Sequence, residues 1–108
     1  MKVHFSPSTQ FQYLQFGGLK EDIVLLKCQM PRSDLAAFIA SSPFATERLT
    51  SERNDCIINW PPPEWDVATA QPFVSASVPQ PNGALMITVA HPESELPTVY
   101  LYLYETTL

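Results

Sequence analysis

The residues able to do chemistry are few and scattered. The chain holds two histidines, His4 and His91, and two cysteines, Cys28 and Cys56. A zinc site draws on such side chains at close spacing, because several ligands must converge on one ion. None of them falls into a CxxC, HxH or HExxH spacing, so no metal site is expected. His91, beside Pro92 and Glu93, reads as a solvated loop histidine. Cys28 lies in an apolar run, the setting of an inert thiol rather than a reactive one. The two cysteines are either two buried thiols or one bridge formed in an oxidising compartment. Acyl transfer on a G-x-S-x-G elbow is not encoded, and the three glycines make no phosphate-binding pattern. The carboxylate pairs Glu21/Asp22, Glu64/Asp66 and Glu93/Glu95 all fall in predicted loops, whereas glycoside hydrolysis needs two carboxylates facing across a cleft. No catalytic residue and no cofactor is therefore expected.

Two aromatic features remain as candidate partner-binding sites. The first is the segment Asn59-Trp60-Pro61-Pro62-Pro63-Glu64-Trp65-Asp66. Its prolines lack amide donors and hold the backbone near polyproline II, so it is neither helix nor central strand. A stiff loop carrying Trp60, Trp65, Glu64 and Asp66 would lose little freedom on binding a partner. The alternative is that one or both indoles close over the core, since tryptophan is highly buried on average. The second feature is the alternating ladder Tyr100, Tyr102, Tyr104, whose rings would form a flat amphipathic surface on one sheet face. Its alternative is that Phe5, Phe11, Tyr13 and Phe16 of the N-terminal segment half cover it.

Charge narrows the partner. Eleven acidic and six basic residues leave a net charge of −5. Lys2, Lys20, Lys27, Arg32, Arg48 and Arg53 are dispersed, so nucleic-acid binding through phosphate neutralisation is not expected, nor is attraction to anionic lipid. The apolar runs 23–26 and 84–87 fall far short of the ~20 residues of a membrane span. The first sixteen residues lack the layout of a secretory signal. A cytoplasmic location is the default, and a periplasmic one holds if a leader was removed.

These residues must be positioned by one domain, 1–108, of ordinary size. Eleven prolines spread along it read as turn markers. Residues 2–5 and 11–16 alternate as short strands, and residues 23–30 form a longer one that Pro31 stops. Ser33 then caps a helix with Asp34 in its first turn; Leu35, Phe38 and Ile39 make its apolar stripe, and Pro43 ends it near Ser42. A second helix over 45–53 and a short strand at 56–58 are weaker expectations. Residues 73–78, 84–90 and 98–105 form an antiparallel meander, its first turn built on the positive φ angles of Asn82-Gly83. Alternation places Val74, Ala76, Val78, Leu85, Ile87, Val89, Val99, Leu101 and Leu103 on one face with Val24, Leu26, Cys28 and Met30, beneath the helix. The other face, with Ser75, Ser77, Thr88, Lys27, Gln29 and the tyrosines, is expected to be half wet. The fold class is thus α+β, a mostly antiparallel sheet with one main helix on one face. A partly closed barrel is the alternative.

The order of strand, Pro, short helix, Trp-Pro segment and Tyr-rich terminal strand resembles small bacterial proteins of the immunity or lipoprotein type. The residues carrying the resemblance are 30–38, Trp60-Pro61 and Val99-Tyr100-Leu101. It implies a small, acidic, non-catalytic inhibitor that occludes a basic toxin or enzyme. The alternatives are an accessory assembly subunit, which would self-associate, and a small enzyme, which would show a deep cleft with perturbed titratable groups.

Overall fold

The computed structural model describes residues 5–17, 21–42, 44, 49–51, 63–69 and 72–106. Five strands form one sheet: β1 (Gln10–Gly17), β2 (Glu21–Gln29), β3 (Phe73–Gln80), β4 (Gly83–Ala90) and β5 (Thr98–Thr106), with α1 (Arg32–Ala40) between β2 and β3. The order across the sheet is β1-β2-β5-β4-β3, and every neighbouring pair is antiparallel. Among the described residues the sheet is open, with β1 and β3 as its edges, rather than closed into the alternative barrel. No helix among the described residues is long and apolar enough to cross a membrane. The strand expected at 2–5 and the elements expected at 45–53 and 56–58 lie mostly or wholly outside the described residues. Within them, Thr50 makes a single antiparallel bridge to Ser75 on β3.

The helix lies where its apolar spacing required, over one sheet face. Leu35 and Phe38 are buried with Leu26, Cys28, Met30, Phe44, Ala76, Leu85, Ile87, Val89, Val99 and Leu101, and Ile39, Val74, Val78 and Leu103 pack at the margin. The cap differs from expectation. Ser33 stands inside the helix, and Pro31 is the N-cap, with no side-chain cap bond. Proline's fixed φ suits the extended N-cap backbone (φ −56°, ψ 141°), so its carbonyl accepts the Asp34 and Leu35 amides at 2.8 and 3.1 Å. Asp34 does sit in the first turn. At the other end the hydroxyls of Ser41 and Ser42 donate to the carbonyls of Phe38 and Ile39, at 3.1 and 2.7 Å, satisfying acceptors that the helix leaves open.

Two backbone details depart from simple alternation. The β3–β4 turn is Pro81-Asn82, with Gln80 paired to Gly83. His91 is the non-glycine residue with positive φ among those described, so Asn82 does not supply one. Pro81 holds φ negative and precludes the expected turn type. Gly83 is needed for space instead: an ideal Cβ there would meet the Tyr104 carbonyl oxygen at 1.8 Å. In β1 the register shifts between Phe11 and Tyr13, leaving Gln12 as a bulge. The extra residue changes the alternation, so Phe11, Leu14 and Phe16 all pair with the helix-face residues Cys28, Leu26 and Val24. The N-terminal phenylalanines therefore do not cover the tyrosines. Phe5 stacks on Phe38 with ring centroids 5.3 Å apart, and meets Phe11 edge-on at 5.0 Å.

Candidate functional site

The expected half-wet face carries a second, smaller core. Leu25, Tyr100 and Ala90 are buried there beneath Trp65 and Val67, and Tyr13, Ile23, Met86 and Tyr102 pack around them. Ser75 and Thr88 on the same face are buried as well. The loop at 63–69 lies on this face because Trp65 and Val67 point the same way, and both are nearly inaccessible. Trp65 is 2% exposed and meets the Tyr100 ring edge-on at 5.4 Å, while Tyr100 is itself only 3% exposed.

Asp66 follows Trp65 in the loop and reaches the same tyrosine. Its Oδ1 accepts hydrogen bonds from Lys27 Nζ at 3.0 Å and from the Tyr100 hydroxyl. Lys27 Nζ also lies 5.5 Å from the centre of the Tyr100 ring, within cation–π range. The backbone carbonyl of Asp66 accepts the amide and hydroxyl of Thr69, closing the short 3₁₀ turn Val67–Thr69. Partial burial pushes the Asp66 carboxyl up, but the Tyr100 and Lys27 hydrogen bonds and the Lys27 charge outweigh it and hold the group below its usual range. Burial, then the Asp66 hydrogen bond and charge, push the Tyr100 phenol well above its usual range. The two groups are driven apart, away from the near-neutral pKa that proton transfer needs. The arrangement is suited to clasping a loop onto a sheet.

The candidate residues therefore separate by role. Trp65 and Tyr100 are buried, which corrects the expectation that their side chains form a contact surface. Physically, the indole is spent on covering the sheet, and the ring it covers is Tyr100. Tyr102 and Tyr104 follow along β5 on the same face and are partly exposed. Glu64 is exposed, and the Asp66 side chain is half exposed beside its partners. Trp60 lies outside the described residues. The proline-stiffened loop and the tyrosine ladder, which look like separate surfaces in the sequence, are thus one assembly. Lys27, at its centre, carries no signal of this role in the sequence.

Elsewhere, both described cations contact carboxylates or carbonyls: Lys27 as above, and Arg32 with the Glu93 carbonyl at 2.9 Å and its carboxylate at 3.8 Å. Glu64, Glu93, Glu95 and Glu105 are exposed. Cys28 is a free thiol, and burial pushes its pKa up to about 12, so it stays protonated. Cys56 lies outside the described residues, as does His4, while His91 is exposed in its loop. Among the described residues no three His, Cys, Asp or Glu side chains converge. A depression of about 410 Å³ at the start of the helix is open and lined by Pro31, Arg32, Ser33 and Glu95.

Sequence reasoning missed one surface. Phe11, Leu14 and Phe16 on β1 are 58%, 52% and 71% exposed. Their apolar character was legible, but their shared face depends on the Gln12 bulge, which has no signature in the chain. No family model, curated protein or solved structure matches this chain, so its function has to be argued from these surfaces.

Proposed function

We propose that the chain is a non-catalytic protein-binding domain, an immunity-type inhibitor that covers a basic site on a toxin or enzyme. The observation that carries this reading is the clasp. Trp65, Lys27 and Tyr100 pin the 63–69 loop, so Glu64 and the open side of Asp66 are presented on a backbone with little freedom left to lose. Tyr102 and Tyr104 supply adjoining amphipathic area at low rotamer cost. Both described cations are engaged with acidic side chains, and the net charge of −5 favours a basic partner.

The test is to isolate the partner from the native host, purify it, and measure association with folded variants. Glu64→Lys is expected to slow association and weaken its dependence on salt. Tyr102→Ala is expected to lower affinity at least tenfold, about 1.4 kcal/mol. Unchanged binding by both variants would refute this surface. A second reading, an assembly subunit, is favoured by one observation, the open edge of β1.

A further inference from the structure

We propose that β1 pairs with β1 of a second copy of this chain, making a continuous ten-stranded sheet across a two-fold axis. This inference is independent of the inhibitor reading. It rests on a contrast between the two edges of the sheet. An edge strand exposes unpaired amides and carbonyls, and proteins blunt such edges with proline, charge or a covering segment. The β3 edge carries Pro79 and is bridged by Thr50, whose amide and carbonyl both bond Ser75, at 2.9 and 2.6 Å. The β1 edge, QFQYLQFG, has no proline and no charged residue, and among the described residues no bridge covers it.

The occupant follows from symmetry, charge and area. Beyond the Gln12 bulge, Tyr13–Gly17 runs in regular register with β2. A two-fold axis perpendicular to the sheet makes two such segments antiparallel and keeps each face on its own side. Centred on Gln15, it sets Leu14 of each copy beside Phe16 of the other, on the helix face. A chain of net charge −5 repels its own copy over most of its surface, and an uncharged strand is where that repulsion is least. A basic partner, by contrast, is drawn to the acidic loop. Phe16 alone leaves roughly 140 Å² exposed, taking about 200 Å² for a phenylalanine side chain. Leu14, Tyr13, Gln15 and the strand backbone bring the total towards the roughly 500 Å² per partner that a specific interface must reach. A dimer at this low end of size associates in the micromolar range.

Sedimentation of the intact chain from about 1 to about 500 µM tests this. The expected result is a reversible monomer–dimer equilibrium, weakened at least tenfold by Phe16→Lys and by Leu14→Lys. Both side chains are exposed, so neither variant should unfold the domain. Amide exchange at low and high protein concentration supplies the second measurement: protection gained on dimerisation should fall in residues 13–17. A chain that stays monomeric throughout, a dimer indifferent to both lysines, or protection confined to other segments would each overturn the proposal.

Discussion

Replacing Trp65 by alanine tests the second core most directly. The indole is 2% exposed and lies edge-on to Tyr100, so its removal forfeits nearly the whole transfer energy of the largest side chain. Such truncations in cores cost about 3–5 kcal/mol. The lower end applies here, because the 63–69 loop lies on the outside of the sheet and can shift towards the space rather than leave a full cavity. A loss of about 3 kcal/mol is a large fraction of the roughly 5–15 kcal/mol of a small domain. It corresponds to a fall in Tm of roughly 12–20 °C. Urea unfolding followed by far-UV circular dichroism is the assay, since the substitution removes a fluorophore. Trp65→Phe, which keeps an aromatic ring over Tyr100, should lose less. A loss below about 1 kcal/mol for Trp65→Ala would show that the indole does not close this face, and the clasp argument would fail with it.

Two further outcomes are expected. Gly83→Ala should cost more than about 2 kcal/mol, because the new Cβ meets backbone of β5 that cannot rotate aside; Gly17→Ala, with nothing within 4 Å, should stay within about 0.5 kcal/mol in the same urea titration. Because the folded Asp66 carboxyl is held below its unfolded value of about 3.9, the stability it supplies is present above that pH and lost as pH falls through the folded value. Urea midpoints at pH 7 and about pH 3 should therefore fall less for Asp66→Asn than for the wild type, and equal falls would show that the clasp does not depend on charge. At the alkaline end, the raised Tyr100 phenol supplies stability that is present below about pH 10 and declines above it, a decline that Tyr100→Phe should lack.

The α+β class, the positions of the five strands and the helix were legible because burial imposes two periods on a sequence. Leu35 and Phe38 recur at the helical period, and Leu85, Ile87 and Val89 at the strand period, and both sets reach one core. What was not legible depends on contacts between distant residues. Lys27 and Asp66 lie 39 positions apart, and nothing local marks them as partners. Trp65 reads from sequence as a lid on the sheet or as a partner contact, and the geometry of Tyr100 decides. The Gln12 bulge reverses the facing of Phe11 without leaving a glycine or a turn residue to announce it. The helix start moved by two residues for a similar reason: Ser33 has the side chain of a cap, but Pro31 already has its backbone.

The strand order has a consequence for the growing polypeptide. β5 is last of the five strands in chain order, yet it stands in the middle of the sheet, between β2 and β4. The β1–β2 and β3–β4 hairpins can each close locally as they leave the ribosome, but among the described strands β5 is what joins them by hydrogen bonds. Isolated hairpins are marginal in water. Until residues 98–106 emerge, therefore, the nascent chain carries two half-sheets with unfinished inner edges, and Leu26 and Ile87, on strands that both pair with β5, have no wall between them. Closure of the sheet therefore waits for residues 98–106, and until they pair the two hairpins expose edges open to other chains.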